Sequence, residues 1–600
     1  MRNNRAIWLS AALCAGIFCG GRAWADNITV SDAKLAAPVK GTHGTVRFNV
    51  QWEHSWRLDL PGTNRAEPYN YDAAWVFVKY RAGNGEWKHA TLSTNAADHV
   101  VPAGVALSVG QTDGKGIGVF LYRSANGAGT FKADNVGLRW LYPSNGIGDS
   151  AAVTVKVFAI EMVYVSQGPF WVGDGQVKPP NIVMADSQFY AGGGAHPPYN
   201  PLLITNENEM AVGDSAGQLC YIPQKEPNSL FAHSGDGLGP RPAVFPKGYA
   251  AFYGMKYEIT QGAYVDFLNT LSVAQATNRW PFMNDELLRK DLAFGYAHRY
   301  AITNTSGVCS LNLLRWVRST PASPDSVVDP AWNDEPDWKD ICGKFTTTLP
   351  YVACNMLDWQ DVAAYLDWAG LRPMTEMEYE KVCRGPLPPV PYEYAWGNTT
   401  LVPATSIINS GQTNEAPGGP AWPIPPTTVP NCVVIGSGAK CVNGPMRVGC
   451  MWGMGTGSRT CMGAGYYGMR DLSGNLLEPV VAVGMPLCRR FTGQHGDGAL
   501  DEDTGNANVP GWPDTDGYGE WYEGGRWVKI TPTNSFNGGY HPHGFEGVSV
   551  RGGERNGGTV TPVSQRDHTL CQPGYHGCWA NEDCPMMPSV YGGRGVRTVP

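Results

Sequence analysis

A chain of 600 residues, 42% hydrophobic and only 16% charged, can bury a sizeable core in two or more domains, which excludes wholesale disorder. Its net charge of −8, without long charge runs, leaves no basic footprint for nucleic acid or for anionic membranes. The 75 glycines and 46 prolines predict many loops and few long helices.

Residues 1–25 read as a targeting segment. Arg2 and Arg5 give a basic start, residues 6–20 an apolar stretch with small residues, and Ala23-Trp24-Ala25 an A-x-A cleavage site. A mature chain from Asp26 is therefore expected to be secreted, periplasmic or on the cell surface. Leu13 before Cys14 and Phe18 before Cys19 match a lipoprotein site poorly, and no later run approaches the roughly 18 apolar residues of a membrane span, so no transmembrane anchor is expected. Two of the 15 cysteines lie in the leader, leaving 13. Exported thiols usually pair, so most of these are expected to be disulfide staples, with at least one left over.

Residues 26–158 read as an all-β sandwich. Val46, Phe48 and Val50 alternate on one face of a strand, as do Ala74, Val76, Val78 and Tyr80 on a second. Strands at 117–122, 137–142 and 152–160 follow, with turns such as Asn84-Gly85 between them. Trp56, Trp75 and Trp87 read as core or sheet-face aromatics in preference to a carbohydrate platform.

The rest of the chain, 159–600, reads as one domain interrupted by long insertions at 180–243, 275–350, 399–446 and 492–547. Loops of such length are usually functional or decorative surface. Thr260 is an N-cap for a helix carrying Tyr264, Phe267, Leu268 and Leu271 on one face. Asp358 caps a second, with Trp359, Val362, Ala363 and Leu366 inward. Thr375-Glu376-Met377-Glu378 is a capping box for a third, ending near Gly385, so Glu378 reads as a cap and not as a catalytic acid.

The turn-forming stretch Gly468-Met469-Arg470-Asp471-Leu472-Ser473-Gly474-Asn475-Leu476-Leu477-Glu478 carries hard oxygen donors and leads into the apolar Val480-Val481-Ala482-Val483. Such a segment is either a Ca²⁺ loop or a solvated turn before a strand. It resembles the G-L-Y-D-M-S-G-N-V-W-E-W signature of the formylglycine-generating enzyme (sulfatase-modifying factor) family. Glu161–Gly173 resembles that family's opening strand pair, and Tyr257–Asn269 its E-V-T-x-x-x-Y-x-x-F helix. Arg372–Glu380, with Arg384-Gly385 and Tyr394-Ala395-Trp396-Gly397, resembles R-L-P-T-E-A-E-W-E…RG…PWG. Val550-Arg551-Gly552-Gly553 and Gly595-Val596-Arg597 resemble its R-G-G and G-F-R. Pro373-Met374 and Pro479 depart from the pattern.

The resemblance implies an α+β, loop-rich C-type-lectin-like fold behind the sandwich. It implies structural Ca²⁺ at Asp471, Gly474, Leu476 and Glu478, and a second cation site beginning near Asn409, whose acidic partner is not evident in the sequence. Family enzymes oxidise a sulfatase cysteine to formylglycine through two cysteines that hold Cu(I) just after R-G-G. Here the segment 554–568 contains no cysteine, and none occurs between Cys488 and Cys571. Copper is therefore not expected, and the catalytic set is empty. Cys571, Cys578 and Cys584, with His568 and His576, match neither the copper pair nor a zinc C-x₂-C spacing. No G-x-S-x-G, H-E-x-x-H or P-loop is present. The readings that remain are an exported binding protein for an extracellular protein or glycan, a structural component that self-assembles, and a copper oxidase acting on protein cysteines through relocated cysteines.

Overall fold

The computed structural model describes residues 28–36, 38–58, 69–175, 188–194, 198–221, 237–279, 299, 302–304, 345–418, 430–434, 442, 444–451, 458–484, 488–513, 515, 520–523, 526–529, 548–555, 559–560, 562–566 and 591–600. The expected leader lies outside them. So does most of the 275–350 insertion, along with Cys571, Cys578, Cys584, His568 and His576.

Period-two alternation builds the N-terminal region in two layers. In the first, Gly44–Leu58 is flanked by Thr29–Leu35 and Gly127–Trp140. In the second, Asn70–Ala82 lies between Lys115–Arg123 and Val153–Val165, with Val105–Thr112 outside Lys115–Arg123. The layers join in one ladder at a corner, Arg57↔Tyr71 and Leu58↔Asn70. Val46, Phe48, Val50 and Trp52 of one layer meet Ala74, Val76, Val78 and Tyr80 of the other across a single core. This is the sandwich the alternation predicts. Two of its strands carry a weaker signal: Thr29–Leu35 is mostly exposed and polar, and Val105–Thr112 breaks alternation at Gly110.

Asn70–Ala82 is buried along both faces. Val76 and Val78 face the sandwich core, while Ala73, Trp75 and Phe77 join the core of the C-terminal region. One strand, Val153–Val165, explains how this is possible. It pairs with Asn70–Ala82 from Val153 to Val163, then with Phe252–Met255 from Met162 to Val165. Residue 158, the boundary suggested by the sequence, therefore falls inside a strand and not in a linker. Phe252–Met255 pairs in turn with Gly595–Thr598, and that strand with Arg372–Pro373, so one sheet of 11 strands runs through both regions.

Side-chain bonds fasten the two regions. Trp75 Nε1 donates to Ala369 O at 2.7 Å, and Arg597 Nη2 to Gln111 O at 2.8 Å. The buried Lys256 lies 3.5 Å from Asp72 and 3.4 Å from Glu161. Trp75 is thus core, as expected. Trp56 and Trp87 are only half-buried: Lys256 sits over Trp56, while Arg81 and Lys156 sit over Trp87.

Beyond the sandwich, regular structure is sparse. The three helices read from the sequence form at Gln261–Leu268, Trp359–Trp368 and Glu376–Arg384, capped by Thr260, Asp358 and Thr375. Leu271 lies past the end of the first and is still buried. The third ends at Gly385, whose φ of 65° puts it in the left-handed region glycine tolerates. The architecture is a loop-rich α+β fold behind an N-terminal β domain. Among the described residues no helix is long and apolar enough to cross a membrane.

Candidate functional site

Two neighbouring structures, the segment after Arg551-Gly552-Gly553 and the 468–478 loop, hold the residues from which chemistry was expected. Arg551 ends the strand Val548–Arg551, which pairs with Glu478–Val481 and so brings the two together.

The helix Glu376–Arg384 presents acids to the first of these. Glu376 accepts from Arg551 Nη2 at 2.9 Å, from Arg566 Nε and Nη2 at 2.9 Å each, and from Val483 N at 2.7 Å. All three side chains are buried. Burial by itself would raise the Glu376 carboxyl; the Arg566 and Arg551 guanidiniums outweigh it and hold it at about 2. One turn on, Glu380 pairs with Arg384 at 3.0 Å, and Arg384 also reaches Glu393 and, at 2.9 Å, Ser564 Oγ. Arg551 Nη1 donates to Val563 O at 2.8 Å, and Arg566 stacks 3.8 Å from the Phe189 ring centroid.

The segment in which the resemblance places two copper-binding cysteines is therefore spent, at Val563, Ser564 and Arg566, on a buried ion-pair network. Sequence reading singled out Arg551 by its motif but missed Glu376 as the hub. The available signal was the 376, 380, 384 spacing, which stacks Glu, Glu and Arg along one helical face. Glu378 does what the capping box predicts: its Oε2 accepts from Thr375 N at 3.0 Å, and it also pairs with Arg372 at 2.6 Å.

Positive φ at Gly468, Asp471, Gly474 and Asn475 folds the 468–478 loop tightly. A Cβ on Gly474 would stand 2.8 Å from Val433 O, so glycine is required there on two counts. Asp471 Oδ2 accepts from Gly449 N at 2.7 Å. Leu476 N donates to Glu258 Oε1 at 3.0 Å, and Asn475 Nδ2 donates to the other Glu258 oxygen. Gly474 N donates to Gly552 O at 2.9 Å. Glu478 pairs through both oxygens with Arg594, whose Nε meets Oε2 and whose Nη2 meets Oε1 at 2.6 Å. Burial raises the carboxyls of Glu258, Asp471 and Glu478, with Arg594 pulling each of them back down.

The four expected calcium ligands thus lie in one loop, but the arrangement does not fit a cation cage. A calcium ion takes six to eight oxygens, whereas here Glu478 faces a guanidinium and one oxygen of Asp471 is committed to an amide. Among the described residues no group of three His, Cys, Asp or Glu side chains is placed to hold a metal.

Cys354, Cys383, Cys432 and Cys450 are buried free thiols and Cys220 is a half-buried one. Burial raises the pKa of each and pushes the Cys383 thiol up to about 12. A thiol that stays protonated is a poor nucleophile and a poor metal ligand.

This combination of a strand-rich front domain and an irregular, side-chain-stapled α+β domain agrees with the sequence comparison. Residues 241–481 match the family model of the sulfatase-modifying factor enzyme 1-like domain. The chain carries a domain of that family, preceded by an N-terminal β region. No curated protein matches the chain.

Proposed function

We propose that this protein is exported and uses its formylglycine-generating-enzyme-like scaffold for binding or for structure, without the family's copper oxidation. One observation carries the reading. The segment after Arg551-Gly552-Gly553 has no cysteine, and Val563, Ser564 and Arg566 are committed to the Glu376 and Arg384 network. Cu(I) is held by soft thiolates, and hydroxyl, carboxylate or guanidinium groups do not replace them. The loops of the irregular domain offer variable surface on a rigid frame, which suits an extracellular protein or glycan ligand, or contacts between copies of the chain.

The test supplies purified full-length protein with Cu(I), oxygen and a sulfatase-motif peptide, and follows aldehyde by mass spectrometry. No aldehyde over many hours is expected. Multiple-turnover aldehyde that disappears on Cys571→Ser or Cys578→Ser would overturn the proposal in favour of a relocated cysteine pair. Light scattering of the same sample without ligand separates the two remaining roles, since a structural component assembles by itself and a binding protein does not.

A further inference from the structure

We propose that buried arginines take the place of the divalent cations that this type of fold would hold, so that the chain folds without calcium at the 468–478 loop. Glu478 is fully buried, and both of its oxygens are met by the Arg594 fork. The remaining Arg594 nitrogen, Nη1, faces Met255 O at 3.4 Å and Lys256 O at 3.5 Å. The guanidinium therefore does what a structural cation does. It neutralises a buried carboxylate and draws in backbone carbonyls from a second segment of chain. It is permanently charged and its planar fork matches a carboxylate, so no ion need be bound from solution. A divalent cation beside the same carboxylate would face this fixed positive charge in a low-dielectric interior, which offsets part of the attraction of Glu478, Asp471 and Glu258. A second guanidinium, Arg470, lies within electrostatic reach of Asp471.

A second loop repeats the arrangement. The second expected cation site begins at Asn409, a residue with φ of 52°. The turn that follows closes on Glu415, whose carboxylate accepts from Gly411 N at 2.7 Å and Arg447 N at 2.8 Å. Both Glu415 oxygens are again held by one guanidinium, that of Arg299, with Nη1 to Oε1 at 2.8 Å and Nη2 to Oε2. Arg299 also draws in a carbonyl, Pro445 O at 2.7 Å, and Ser410 Oγ at 3.2 Å. Two loops, each implied to be cation-bound, carry the same carboxylate–guanidinium clasp, each recruiting a distant carbonyl.

The experiment uses full-length protein and needs no knowledge of its function. Thermal melts are recorded in chelator and in millimolar calcium, the range in which extracellular modules bind it, and elemental analysis gives the calcium content of protein purified without chelator. Wild-type melting should be the same in both buffers, with no stoichiometric calcium. Arg594→Met should melt lower in chelator and recover in calcium, because the vacated carboxylate regains a use for the ion. A wild-type melting point that falls in chelator, or one calcium per chain, overturns the proposal. So does a folded Arg594→Met protein that ignores calcium. Should that variant not fold, the wild-type measurements decide alone, and Arg299→Met repeats the test at the second clasp.

Discussion

The sandwich and the irregular domain meet along one continuous sheet, yet they satisfy buried polarity in different ways. In the sandwich, backbone ladders pair most amides and carbonyls, so side chains such as Val46, Phe48, Val76 and Leu121 can face the core as purely apolar groups, while a buried carboxylate, Asp72, takes the amide of Trp56 next to a register shift. In the irregular domain, long loops leave backbone groups without a ladder, and ionised side chains close the gaps. Glu376 takes the amide of Val483, Glu380 that of Gly173, Glu415 those of Gly411 and Arg447, and Asp471 that of Gly449. Each of these acids then requires a counter-charge or bears a raised pKa. The lesson is that buried charge here follows from irregular backbone, because an unpaired buried amide or carbonyl costs as much as a lost hydrogen bond. A buried carboxylate is therefore not by itself a sign of catalysis in this fold.

Removing the Glu376 hub should have the largest effect. Glu376→Ala leaves the Arg551 and Arg566 guanidiniums buried without their carboxylate, and should cost about 3–5 kcal/mol in denaturant unfolding. The same carboxylate makes a prediction with pH. Its folded pKa of about 2 lies below its unfolded value, so its stabilisation is complete above the unfolded pKa and is lost as pH falls toward 2. Acid melts of wild type should show this loss, and Glu376→Ala should show less of it. An Ala variant as stable as wild type would mean that the network is ornament.

Truncation in the sandwich should be comparably costly at its largest but insensitive to pH. Leu121→Ala, at a fully buried position, should lose about 2–5 kcal/mol by the same denaturant measurement. Its deficit should stay constant from neutral pH into the acid range, since Leu121 packs within a cluster of apolar side chains. A deficit that changed steeply with pH would show that the two regions do not differ as argued. The smallest effect is expected at a helix end. Thr375→Ala removes the acceptor of Glu378 N and the donor to Pro246 O, and should cost about 1 kcal/mol. A much larger loss would show that the bond to Pro246, and not the cap, is what this residue supplies.

Alternation along the sequence marks the sandwich strands other than Thr29–Leu35 and Val105–Thr112, and local rules likewise give the three helix starts and the family of the irregular domain. Alternation sets a strand's face, and a Thr or Asp side chain meets an amide three residues on. The sequence by itself also determined the absence of cysteines between 488 and 571, which is a matter of counting. Tertiary structure decided the rest. That Val153–Val165 serves both regions could not be read locally, since an apolar strand does not announce its second partner. Glu376 meets Arg566 across 190 residues, Glu478 meets Arg594 across 116, and Arg299 meets Glu415 across 116. Read along the chain, Asp471 and Glu478 are free hard donors. Only the fold shows that one of them already holds an arginine, because charge pairing between distant segments depends on where the backbone carries them and not on their spacing.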